Sequence, residues 1–143
     1  MANELHPIQI KGIRVLELHL EVFDPNKSDE DALDLPFIFS TGHSSFDHVT
    51  SLITVGVKGE VGGESSEQNK HPFHIRIHIQ GQFLVDTKKF PVDKIDDWAY
   101  KNAPLLLLPF LREHIYGLAS RAGIKGVMVP LFVLPTIKVQ PPQ

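Results

Sequence analysis

Three histidines, His71, His74 and His78, and the string GHSSFDH from Gly42 to His48 are the residues of this chain whose types could do chemistry. Imidazoles at short spacing suggest a metal site, and Ser, His and Asp together suggest acyl transfer. Spacing argues against both. His74 and His78 fall in a segment that alternates apolar and polar residues, and on a strand they stand about 13 Å apart, too far to share one ion. A solvated strand face is the better reading, so no metal site is expected. A catalytic triad is assembled across a fold rather than in one heptapeptide, and G-x-S-x-G is absent, so GHSSFDH reads as a turn. Cysteine is absent, which removes disulfides, thiolate ligands and thiol nucleophiles. No G-x-G-x-x-G or P-loop string occurs, so no cofactor is expected and the chain is read as a non-enzyme. The acidic run Asp29, Glu30, Asp31 reads as a solvated loop, with selection of basic clients as its functional alternative.

The elements that would position these residues fit one domain spanning 1–143, a length that buries one core but is short for two. Hydrophobic residues at 42% and charged residues at 22% place the chain among ordinary globular proteins. A net charge of −3 gives no basic footprint for nucleic acid. The opening MANELHPIQIKG lacks the basic and apolar regions of a signal peptide, and no run of about 18 apolar residues occurs. Together with the missing cysteines, this leads us to expect a cytoplasmic protein without direct membrane insertion.

Alternation marks four strands. In Ile13 to Phe23, Leu16, Leu18, Leu20 and Val22 face one way and Glu17, His19 and Glu21 the other. Asp24 to Pro36 is an acidic connection, followed by a short strand, Phe37 to Thr41. Gly42 to Asp47 supplies turn residues, and His48 to Val61 is the third strand. After a polar hairpin loop, Gly62 to Pro72, the fourth strand runs from Phe73 to about Val85, where Phe73, Ile75, Ile77 and Ile79 alternate with His74, Arg76, His78 and Gln80. Gly81 is expected to mark a bulge or bend.

After Pro91 the period changes to helical. Val92 to Tyr100, with Val92, Ile95, Trp98 and Ala99 on one side, predicts a short amphipathic helix. A long helix follows from about Asn102 to Ala122, with Pro104 tolerated in its first turn, Pro109 expected to kink it, and Gly123 as left-handed cap. Leu107, Leu108, Leu111, Ile115, Leu118 and Ala122 form the core stripe. Leu106, Phe110 and Gly117 lie roughly opposite, where a surface helix is normally polar. They predict a second contact surface, an oligomer interface, unless the 92–100 helix or the C-terminal segment covers them.

The pattern resembles the SecB family of export chaperones. The resemblance is carried by Asn102, Pro104, Pro109, Phe110, Arg112, Glu113, Ile115, Ser120 and Arg121 along the helix and by VPLF from Val129 to Phe132. VFDPN from Val22 to Asn26 and QGQF from Gln80 to Phe83 extend it upstream. It implies an α+β, SecB-like fold: a four-stranded antiparallel sheet packed against one short and one long helix, with an extended C-terminal segment. It also implies an ATP-independent holdase that binds unfolded or newly made polypeptides, serves protein export and assembles as a homodimer or homotetramer. The family's polypeptide-binding groove maps to Leu33, Leu35, Phe37 and Phe39, for which packing beneath a long loop is the plain alternative. Its contact with the translocation motor SecA uses acidic outer-face residues, which here leaves Glu17 and Glu21. Strand four departs from that pattern by presenting His74, Arg76 and His78, and the C-terminus LPTIKVQPPQ is short and Pro-rich. A divergent member with another client set, such as a chaperone accompanying a toxin–antitoxin pair or an adaptor for one partner, is the alternative. A small-ligand-binding or hydrolytic domain is a more distant one.

Overall fold

The computed structural model describes residues 3–27, 35–63, 71–125, 127 and 129. Strands β1 (Ile8–Val22), β2 (Phe37–His43), β3 (Leu52–Gly62) and β4 (Phe73–Val85) form one antiparallel sheet in the order β1-β4-β3-β2. A 3-10 turn, Val92–Lys94, leads into α1 (Ile95–Lys101), and α2 (Ala103–Arg121) follows at once. The core lies between the sheet and α2. Ile75, Ile77, Ile79 and Phe83 of β4 and Ile53, Val55 and Val57 of β3 are fully buried there against Leu107, Leu111 and Ile115.

Strand β1 begins five residues before the expected Ile13. Its register slips between Ile10 and Gly12 and again between Val15 and Glu17. The apolar spacing explains both slips: Ile8 and Ile10, then Ile13 and Val15, then Leu18, Leu20 and Val22 are separated by odd steps that would turn each group to the opposite face. A bulge absorbs each odd step and keeps all three groups opposite the core residues of β4. Simple alternation therefore misassigned Leu16, which sits at the second bulge.

Two other expectations are corrected. The third strand starts at Leu52, not His48, because Asp47 builds a turn: its carboxylate accepts hydrogen bonds from the amides of Val49 and Thr50, and Ser51 takes a φ of 60°. Those bonds hold the Asp47 carboxyl below its ordinary value. Gly81 marks no bulge, since β4 pairs with β3 in continuous register through it. Its role is close approach. A Cβ there would stand 2.8 Å from a methyl carbon of Leu107, and one at Gly59 would stand 2.9 Å from Leu111, so the two glycines are sockets for successive turns of α2.

Helix α2 runs through Pro109, on its exposed side, where water can serve the Leu105 carbonyl that loses an amide partner. It ends in a Schellman motif: Gly123, at φ 74°, donates to the Ser120 carbonyl, and the amide of the buried Ile124 reaches back to Ala119. In α1, Ile95, Trp98 and Ala99 are buried as expected, whereas Val92 in the preceding turn is exposed. No helix among the described residues is long and apolar enough to cross a membrane.

Candidate functional site

Width decides what this fold leaves uncovered. Four strands place their outermost axes about 14 Å apart, whereas a helix with its side chains is about 10 Å across. Helix α2 lies on β4 and β3 and scarcely reaches β1. Both flanks of the helix-facing sheet surface therefore keep accessible apolar side chains.

On the β1 flank, Ile10 (41% exposed), Ile13, Val15 and Leu18 (44%) face the core side without a covering element among the described residues. They continue onto α2, where Leu106 is 46% and Phe110 38% exposed, beside Leu105 and Tyr116. A cavity of about 580 Å³ joins strand to helix, lined by Ile8, Ile10, Trp98, Leu105 and Leu106 with His6, Gln9 and Asn102 at its polar margin. Its Trp98 wall is fixed from beneath by an edge-on contact with Phe83 at 5.1 Å. A Cβ at Gly117 would meet nothing within 4 Å, so that position opens onto free space. Neither α1 nor the described part of the C-terminal segment buries Leu106 or Phe110. The band on β1 went unread in the sequence, because period-2 alternation says which face is apolar and not whether a helix reaches it.

On the β2 flank, Leu35, Phe37 and Phe39 pack half-buried against the core cluster. Phe37 and Phe39 pair with Val61 and Gly59, which turns both rings to the helix side. Leu33 and the acidic run Asp29 to Asp31 lie outside the described residues, as does the chain from Pro130 onward.

The outer sheet face is polar and internally paired at one end. Both Glu17 oxygens accept hydrogen bonds from Arg76, at 2.7 Å from Nε and 3.0 Å from Nη2, and this bidentate contact holds the Glu17 carboxyl below its ordinary value. Glu21 lies 4.0 Å from His19, which meets His74 edge-on. His74, only 3% exposed, donates to Glu60 at 3.1 Å. The two acids expected at a motor contact thus stand within a network of cations and imidazoles. Among the described residues no three His, Asp or Glu side chains form a group that could hold a metal. The Ser, His and Asp of GHSSFDH serve the turn: the Ser44 hydroxyl accepts from the Thr54 amide, His43 Nδ1 lies 2.8 Å from the Ser44 carbonyl, and Asp47 caps Val49 and Thr50.

A four-stranded antiparallel sheet in the order β1-β4-β3-β2, backed by a long C-terminal helix, is a SecB-like chaperone fold. The chain resembles the SecB-like chaperone of Mycobacterium tuberculosis in complex with a ChAD peptide from the HigA1 antitoxin. The TM-score is 0.66 at 15% identity, over 91% of this chain and 94% of that one. A protein of unknown function from Streptococcus agalactiae is matched over 87% of this chain and 97% of its own at 14% identity, with a TM-score of 0.43. No protein-family model matches the sequence, and no curated protein does.

Proposed function

We propose that this protein is a non-catalytic chaperone of the adaptor type, which self-associates through the β1 flank and holds an extended apolar segment of one dedicated partner on the β2 flank. The observation that carries this reading is the pair of apolar flanks left by one helix on four strands. Contiguous exposed apolar surface on a soluble domain marks an interaction site, and a sheet edge adds unpaired backbone for an extended chain. The two flanks divide by shape. The β1 flank joins a long edge strand to the exposed side of α2 and suits a second copy, whereas Leu35, Phe37 and Phe39 set half-buried apolar side chains at alternate positions along the other edge, a spacing that matches alternate side chains of a strand-like peptide. The fold likeness to a chaperone holding an antitoxin peptide favours a dedicated partner over a broad client set.

A displayed library of extended peptides panned on the protein tests the adaptor. One converging apolar motif, with no protection of unrelated aggregating proteins, is the expected result. Binding without a motif, with general aggregation suppression and no ATP requirement, would instead make the protein a holdase of unfolded or newly made chains, as in export. A protein that ignores peptides and unfolded chains alike would sink both. Phe37→Ser together with Phe39→Ser should weaken the selected peptide about tenfold or more while leaving the solution mass unchanged. Undiminished binding would move the partner site elsewhere.

A further inference from the structure

The outer sheet face holds a second concavity that the chaperone reading does not use. Gly42 of β2 pairs with Gly56 of β3, which pairs with Gln80 of β4, which pairs with Arg14 of β1. Neither of the row's first two residues carries a side chain of its own: the space over Gly42 is open, and the His78 imidazole leans to 3.3 Å from where a Cβ at Gly56 would stand. A cavity of about 430 Å³ opens there, and a smaller one of about 90 Å³ over β1 shares Gln80 with it. Lys58 and His78 wall one side, Thr54 and Gln82 the other, and Arg14 stands at the β1 end. Among the described residues no carboxylate lines either cavity.

Charge sorts along the face. The acids Glu17, Glu21 and Glu60 face Arg76, His19 and His74 at one end, whereas Lys58 and Arg14, both exposed, form no ion pair with a carboxylate among the described residues. Burial, then the neighbouring Lys58, holds the His78 imidazole below its ordinary value against the pull of Glu17, so near pH 7 it serves as a neutral hydrogen-bonding group. We propose that this glycine-floored trough binds an acidic, extended polypeptide segment, its backbone lying over Gly42 and Gly56 and its carboxylates meeting Lys58 and Arg14. A chain rather than a small anion fits because the concavity is shallow and spans the sheet, about 14 Å or four extended residues, where an enclosed pocket would be needed to desolvate a small ligand. The backbone positions of Lys58 and Arg14 are two strands apart and two residues out of step, about 12 Å, within reach of acids three or four residues apart on an extended chain.

The test uses a labelled peptide of alternating Glu and Ser, read by fluorescence anisotropy on the full chain at low and moderate salt, with a Lys and Ser peptide as control. We expect saturable binding of the acidic peptide alone, weakened about tenfold or more by Lys58→Glu with Arg14→Glu. Gly42→Val should weaken it comparably without changing charge, because a Cβ at Gly42 meets nothing within 4 Å and the added bulk enters the trough rather than the protein. If the double charge reversal impairs folding, Lys58→Gln with Arg14→Gln replaces it. Full binding by Gly42→Val would reduce the site to diffuse attraction and overturn the proposal, as would no binding at low salt. Tighter binding of a single-stranded RNA oligonucleotide, lost in the same variants, would replace the polypeptide with nucleic acid. Phe37→Ser with Phe39→Ser should leave acidic-peptide binding intact, so failure of the apolar partner site and failure of this one are read separately.

Discussion

Glu17 and Arg76 join the two outer-face strands with the longest pairing in the sheet, and their contact has a pH signature. The bidentate hydrogen bond from Arg76 is the largest cause of the lowered Glu17 pKa. A carboxyl depressed in the folded state adds stability above its unfolded value, here near 4.5, and that stability is lost as pH falls through the folded value. Arg76→Ala should therefore destabilise the protein more at pH 7 than at pH 3, as read by urea unfolding at both. Equal losses would mean that Arg76 acts by packing alone. The glycines give a second contrast at this scale. Gly81→Ala places a methyl against Leu107 and the Phe83 ring and should cost about 1–3 kcal/mol through overpacking. A Cβ at Gly123 would meet no atom within 4 Å, so Gly123→Ala carries only the left-handed backbone penalty of roughly 1–2 kcal/mol. Replacing Leu107 by Ala should relieve the first variant and not the second, which a double-mutant cycle in urea measures. The sequence marked both glycines as special, but only Gly123 had its role legible there, because a cap is local whereas a socket exists only when the helix arrives.

Among the elements, β4 and α2 were the most legible. In β4 an unbroken alternation coincides with an unbroken register with β3, and in α2 the buried Leu107, Leu108, Leu111 and Ile115, the Pro in the first turn and the Gly cap all agree, while Leu118 and Ala122 of the expected stripe are half-buried. Strand β1 was half-legible, since its bulges break the alternation at Lys11 and Leu16 and so hide the segment from Ile8 to Gly12. Sequence periodicity also separated the two sides of α2, and adjacent residues now test that division. Leu111 is fully buried against Gly59 of β3, and Leu111→Ala should cost about 2–5 kcal/mol in transfer and cavity energy. Phe110, one residue earlier, is 38% exposed on the other side. Phe110→Asp should leave secondary structure by circular dichroism unchanged and reduce the solution mass. Comparable unfolding by Phe110→Asp and Leu111→Asp would mean that α2 has a single buried surface and no second face.

At the scale of the whole molecule, the ratio of sheet width to helix width argues for self-association. Four strands followed by helices were legible in the order of periodic segments, and the SecB resemblance implied their antiparallel α+β arrangement, but the uncovered flank followed from neither, because coverage depends on where α2 crosses. It crosses over Gly59 and Gly81, whose missing side chains draw Leu111 and Leu107 down onto β3 and β4. That choice of seat leaves Ile10, Ile13, Val15 and Leu18 of β1 accessible on the helix side of the sheet with Leu106 and Phe110. A second copy presenting the same band would bury both and also cover the edge of β1 that no described strand pairs with, an edge that otherwise invites strand addition by an extended chain. If it does, association is linked to folding: the midpoint of thermal unfolding should rise with protein concentration, because only the folded state binds the second copy. Light scattering should give twice or four times the 16.0 kDa chain mass, and Leu106→Asp should return the mass to the monomer and abolish the concentration dependence together. Loss of the dependence without loss of mass would place the copies on another surface, and a monomer with a concentration-independent midpoint would leave the β1 flank to a different protein.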